Sequence, residues 1–176
     1  TGAKRPTPYM IANNLFAHVS DPTVDIDLKP EHSVGGDIGI DQVLFDGRVK
    51  LSATGYLSRF SDMLSFAGAG YQNVQNAAMA GIEIAAGFEL VPSRWHLDAS
   101  YTYLDARDLD LGKALARRPR NSGAVALTYT GQNGLEATLS ATLVGARFNK
   151  AKEVEPLPGY ARLDLSLAYP LSDHTR

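Results

Sequence analysis

Polarity in this chain alternates with a period of two, and a period of two is a property of strands, not helices. From Trp95 to Tyr103, the residues Trp95, Leu97, Ala99, Tyr101 and Tyr103 share one face, and His96, Asp98, Ser100 and Thr102 share the other. Leu135, Ala137, Leu139, Ala141 and Leu143 oppose Glu136, Thr138, Ser140 and Thr142 in the same way. Ala161, Leu163, Leu165, Leu167 and Tyr169 repeat the pattern. Seven strands are predicted, over 33–45, 48–60, 80–90, 95–106, 119–130, 135–148 and 159–170. A typical soluble strand has about five or six residues, so several of these are long. Ten residues rising about 3.3 Å each and tilted about 45° span roughly 24 Å, close to the apolar band of an outer-membrane barrel.

The connections alternate too. Short turns are expected at Asp46-Gly47, Val91–Arg94, Gly131–Gly134 and after Leu171, and long connections at 61–79, 107–118 and 149–158. Asp-Gly is a hairpin signal because the turn needs positive φ. Short turns on one side and long loops on the other describe an up-and-down transmembrane β-barrel, with the long loops outside the cell. The fold class expected is therefore all-β: an antiparallel barrel segment forming one partial domain over residues 1–176. Within it, 1–6 end an outward strand, 7–32 form an external loop, 33–170 hold the seven strands, and 171–176 form a periplasmic turn.

Charge placement agrees with this division. Asp37, Asp41, Lys50, Glu83, Glu89, Asp98, Glu136, Arg162 and Asp164 fall on the lumenal faces. On the apolar faces, Arg59 and Arg147 stand near strand tops, where a charge costs little. Gln42 also falls on an apolar face, and a bulge or the nearby rim would account for it. Trp95, Tyr129 and Tyr169 near inner ends, with Tyr101 and Tyr103 near an outer end, read as membrane-interface aromatic girdles.

The net charge of −2 gives no basic face for nucleic acid, and the chain has no cysteine. Mean hydropathy of −0.15 suits a soluble protein or a barrel. There is no GxSxG, phosphate loop or dinucleotide turn, so no catalytic residue and no cofactor are expected. His18, His32, His96 and His174 show no metal-ligand spacing, and Asp105, Asp108 and Asp110 lack the calcium-loop pattern.

Short strings along the chain resemble the barrel of TonB-dependent outer-membrane receptors. Asp27-Leu28-Lys29-Pro30-Glu31 resembles the family's DLKPE segment, although Asp25-Ile26 stands where Asn-Pro is usual. Gly2–Thr7 is similar to a family strand end, with Lys4 departing from it. Phe45-Asp46-Gly47-Arg48, Ala80-Gly81-Ile82-Glu83, Ala99–Ala106, Arg117-Arg118-Pro119-Arg120 and Leu157-Pro158-Gly159-Tyr160 follow in the family's order. The resemblance implies a 22-stranded plugged barrel for energy-coupled uptake of a scarce nutrient, such as an iron–siderophore, another metal chelate or cobalamin. It implies outer-membrane lipid, lipopolysaccharide and the TonB energy complex as partners, and a C-terminal fragment without plug or terminal strand.

Candidate ligand contacts in the external loops are Tyr9, Asn13, Tyr71, Gln72, Asn73, Arg117, Arg118 and Arg120. The arginines suit an anionic ligand or lipopolysaccharide phosphates at the rim. The tyrosines suit either ligand contact or packing within the loops. Gly68 and Gly70 suggest a mobile loop tip. Two other architectures compete: a small standalone barrel of structural or adhesive type, using residues 1–6 in an eighth strand, and a soluble β-sandwich binding module.

Overall fold

The structure is a computed structural model that describes residues 1–67 and 69–170. Its strands are β1 (Gly2–Lys4), β2 (Glu31–Leu44), β3 (Val49–Ala67), β4 (Gly70–Val91), β5 (Trp95–Asp108), β6 (Lys113–Ala114), β7 (Asn121–Thr130), β8 (Glu136–Val144), β9 (Arg147–Lys150), β10 (Val154–Leu157) and β11 (Tyr160–Ala168). One antiparallel sheet runs β1-β2-β3-β4-β5-β7-β8-β11, with β6 hydrogen-bonded to β5. A separate two-stranded ribbon pairs β9 with β10.

Cross-strand register shows how the alternation is used. Ile40, Ala53, Ile84, Tyr101, Gly123, Leu143 and Ala161 pair in succession across seven strands. The next row on the opposite face is Asp41, Ser52, Ala85, Ser100, Ala124, Thr142 and Arg162. The polar face is concave, because Asp41, Lys50, Ser52, His96, Asp98 and Thr142 line one cavity of about 590 Å³. The apolar face stands uncovered: Ile38 is 81% exposed and Leu163 73%. Among the described residues only Ala77 and Ala106 are buried hydrophobics, so the chain is a wall without a core of its own.

That arrangement decides between the architectures. A sandwich hides its apolar face beneath a second sheet, and here a single continuous sheet leaves it open. Closure as a small barrel requires β1 to pair with β11, and β1 pairs only with β2 among the described residues. The fold is a partial antiparallel barrel.

Several boundaries differ from expectation. Residues 7–32 contain a helix, α1 (Pro8–Ser20). Thr7 caps it by accepting the Met10 N–H at 3.3 Å, and Pro8 occupies the first turn. The expected loop 61–79 is mostly sheet: β3 and β4 stay paired from Val49↔Phe88 to Ala67↔Gly70. Nineteen and 22 residues long, they rise well above a membrane band. Gly68 lies outside the described residues, as do residues 171–176, where a periplasmic turn is expected.

The expected strand 135–148 stops at Val144, and Arg147 begins the β9–β10 ribbon, its guanidinium over the Tyr160 ring at 5.5 Å. The first inner turn has four residues, with Phe45, Asp46 and Gly47 all at positive φ. Gln42 does face outward, paired with Leu51, and unbroken register rules out a bulge there. It stands two residues from the inner end of β2, at the rim. At Gly81 the absence of a side chain is required. A Cβ there would sit 2.5 Å from both the Tyr103 carbonyl oxygen and the Tyr56 hydroxyl, so the glycine lets Tyr56 lie across it.

The aromatic positions separate by height. Trp95 and Tyr129 pair across β5 and β7 with ring centroids 4.8 Å apart. Tyr101 donates its hydroxyl to Asn121 Oδ1 at 2.6 Å, and Tyr103 stands two residues beyond, opposite Asn121. Tyr169 follows β11 and is half-exposed at its inner end.

Candidate functional site at the external rim

Above the membrane band, the loops form two assemblies. The first joins α1 to the extended β3–β4 hairpin. Asn14 is fully buried. Its Nδ2 donates to the carbonyls of Asp25 at 2.6 Å and Tyr71 at 2.7 Å, and its Oδ1 accepts the Tyr71 N–H at 2.8 Å. Asn73 does similar work. Its amide donates to the carbonyls of Lys29 and Asp62 and accepts the Lys29 N–H, fastening the chain before β2 onto the hairpin. Asn73 is therefore already committed to structure.

The other candidates of this assembly are more open. Tyr9 and Tyr71 meet edge-to-face at 6.4 Å, and Phe66 meets Tyr71 at 5.1 Å. Tyr9 is 69% exposed, and Gln72 is exposed beside this cluster. Asn13 is half-buried, and its Nδ2 has no hydrogen-bond partner among the described residues.

The second assembly joins the loop after β5 to the β9–β10 ribbon. Glu153 makes the seam, accepting from Lys113 Nζ at 3.0 Å and the Ala114 N–H at 3.1 Å. Those two bonds hold its carboxyl below the usual glutamate range. Glu155 is lowered likewise by Lys150 and Asn149 within the ribbon. Arg117, at positive φ, donates its backbone N–H to the Phe148 carbonyl at 2.7 Å and its Nε to Asn149 Oδ1 at 3.2 Å.

The three candidate arginines thus part company. Arg117 fastens the seam. Arg120 reaches Asp105 Oδ1 at 3.7 Å. Arg118 is exposed and lines a cavity of about 470 Å³ above the lumen, between the hairpin and the second assembly. Phe60, Met63, Leu64 and Met79 supply apolar lining, and Lys4 and Lys152 add positive charge. The importance of Asn14, Glu153 and Lys152 was not apparent from the sequence. For Asn14 the one available signal was its place in a helix opened by Thr7-Pro8.

On the lumenal wall below, His96 bridges Glu89 and Asp98, each at 3.0 Å from a different ring nitrogen. Both contacts are hydrogen bonds only when each nitrogen carries a proton. The two carboxylates lie on opposite edges of the ring. Among the described residues no group of three or more His, Asp or Glu could hold a metal.

Comparison with known proteins agrees with this architecture. A family model described as "TonB dependent receptor-like, beta-barrel" matches residues 1–176. The vitamin B12 transporter BtuB of Photobacterium profundum is 30% identical over 99% of this chain, and the chain spans 28% of that relative's length. Among solved structures, the copper transporter OprC superposes with a TM-score of 0.76 at 20% identity, over 98% of this chain and 28% of OprC. The ferric yersiniabactin uptake receptor FyuA from Yersinia pestis superposes with a TM-score of 0.68 at 23% identity, over 84% of this chain and 24% of FyuA. The chain belongs to the TonB-dependent receptor-like β-barrel family, as a section of the wall of an outer-membrane barrel.

Proposed function

We propose that this wall section serves a receptor for energy-coupled uptake of a scarce nutrient, a metal chelate or a cobalamin-like compound. The supporting observation is the division of the sheet. An apolar face is left for lipid, a polar concave face for the lumen, and a loop-built cavity stands at the external mouth. On this reading the chain does no covalent chemistry. Its loops capture ligand, and the energy for passage comes from the TonB complex acting on the whole receptor. Tyr9, Gln72 and Arg118 are the ligand contacts favoured by exposure, with the half-buried Tyr71 and Asn13 beside them by position, whereas Asn73, Arg117 and Arg120 act through structure. Arg59 faces outward two rows above Tyr103, exposed and without an ion pair among the described residues, which suits a lipopolysaccharide phosphate.

The experiment is uptake and binding by the full-length receptor. Shortened versions of 8–25, 62–75, 109–118 and 149–156 are compared one at a time in energised and TonB-deficient cells. Energy-dependent uptake that at least one shortened loop weakens is expected. Equal affinity in all four, or uptake indifferent to TonB, would defeat the reading.

A further inference from the structure

Charge is sparse on the outward face of the sheet, and it gathers near the upper edge. Leu57, Ala80 and Asp105 form one outward row, and Arg59, Ala78 and Arg107 form the next above it. His32, Ser61 and Asn76 form a third row, higher again. Asp105, Arg59 and Arg107 are the charged side chains of these rows.

The partners of these charges decide what is left over. Arg107 donates from Nε to both oxygens of Asp105 at 2.9 Å, and Arg120 Nη2 lies 3.7 Å from the same carboxylate. Asp110 accepts the Asn76 N–H at 3.1 Å and Asn76 Nδ2 at 3.3 Å, and it stays an anion while doing so. Glu153, on the far side of Arg107, is matched by Lys113. Three arginines against Asp105 and Asp110 leave this rim one positive charge. Arg59 is the arginine with no ion pair among the described residues, and it stands two strands, about 10 Å, from Arg107. Arg59, His32, Ser61 and Asn76 line one hollow of about 380 Å³, whose described lining contains no carboxylate.

Height indicates what fills it. Four residues of strand separate the Tyr103 row from the Arg59 row, about 13 Å of rise, or roughly 9 Å along the membrane normal at a tilt of about 45°. A headgroup layer is about 5–8 Å thick, so Arg59 stands at its outer edge and its long side chain reaches the phosphates. His32, Ser61 and Asn76 lie one row further out, above the reach of a phospholipid headgroup and level with a sugar carried on a lipid. The hairpin continues past them to Ala67 and Gly70.

We propose that this hollow is a lipid site, holding a phosphate of an outer-leaflet glycolipid against the Arg59 guanidinium, with His32, Ser61 and Asn76 meeting the sugar that bears it. The inference rests on the outward face being a membrane wall and adds to the receptor reading a lipid seated at one defined position. The guanidinium fork suits paired phosphate oxygens, and the Ser61 hydroxyl can give or accept a bond to a sugar hydroxyl.

The test counts lipid retained by the full-length receptor in detergent, by native mass spectrometry. The probes are bisphosphorylated lipid A, the same lipid A stripped of its phosphates, and phosphatidylglycerol. The parent should retain one more bisphosphorylated lipid A than Arg59→Gln, whose affinity at that position should fall roughly tenfold or more. Arg59→Lys should regain part of the loss, because it keeps the charge without the fork. The stripped lipid should not distinguish parent from Arg59→Gln. The inference is overturned if the two proteins retain bisphosphorylated lipid A equally, if the stripped lipid separates them as strongly, or if phosphatidylglycerol is held as tightly at that position. Failure of the lipid difference with TonB-dependent uptake of cyanocobalamin or ferric citrate intact sinks the lipid site alone. Failure of both counts against the receptor reading as well.

Discussion

Asn14 shows how one residue fixes the external surface. A buried amide must spend its hydrogen-bonding capacity locally, and Asn14 spends it on the backbone of Asp25 and on both polar groups of Tyr71. It thereby sets where Tyr9 and Tyr71 meet. Asn14→Ala orphans two carbonyls and one N–H. Each orphan costs about 1–3 kcal/mol if it stays dry, and water reaching this rim should hold the total near the low end. The expected loss is about 2 kcal/mol of local stability, a roughly 30-fold fall in amide protection. Hydrogen exchange should place it in α1 and around Tyr71, with the lower strands unchanged. Unaltered protection in both segments would mean that Asn14 does not hold them. Asn14→Asp should be at least as damaging, since a buried carboxylate keeps the acceptor, loses both donors and turns a charged oxygen toward two carbonyls.

At the scale of elements, the seam between the loop after β5 and the β9–β10 ribbon has a pH dependence whose sign follows from Glu153. Its carboxyl is lowered in the folded protein, first by the Lys113 hydrogen bond and then by the Ala114 N–H. A depressed carboxylate adds stability above the ordinary glutamate range, and that contribution is lost as pH falls through the depressed folded value. The seam should be closed at neutral pH and loosen in acid. Spin labels at Leu109 and Val154 should report a distance distribution that broadens on acidification, and Glu153→Gln should flatten that response. The same broadening in both proteins would assign the effect to Glu155 instead, which titrates in the same direction. The external region is also where the sequence pattern stops being informative. The membrane strands were legible because lipid on one side and water on the other impose a period of two. Above the bilayer neither face of the β3–β4 hairpin meets lipid, so the alternation fades while the pairing persists, and 61–79 read as loop. Helix α1 was hidden by its Pro and Asn content, although Thr7-Pro8 is itself a helix-start signal. Arg117, Arg118 and Arg120 are neighbours in sequence, but positive φ at Arg117 and the proline between Arg118 and Arg120 send them to three different places.

For the whole molecule, the two faces of one sheet answer to different solvents, and that difference is measurable at adjacent residues. Ala141 and Ser140 lie near the middle of the nine-residue β8. Ala141 pairs with Val125 and Leu163 in an outward apolar row. Ser140 pairs with Ala126 and Asp164 in the inward polar row. A lysine at either position has the same size, charge and strand propensity, so only its surroundings differ. At Ala141 it enters hydrocarbon near the midplane, at about 2–4 kcal/mol. At Ser140 it meets the Asp164 carboxylate across the strand pair in a polar setting, and the change should stay within about 1 kcal/mol. Urea titration of the full-length receptor folded into lipid bilayers should separate Ala141→Lys from Ser140→Lys by roughly 1–3 kcal/mol, the gap between those two costs. Repeating the titration in detergent should narrow the gap, because a micelle deforms around a charge more readily than a bilayer. Equal losses for the two lysines in bilayers would mean that the apolar rows do not face lipid, and the assignment of this sheet as a membrane wall would fall with them.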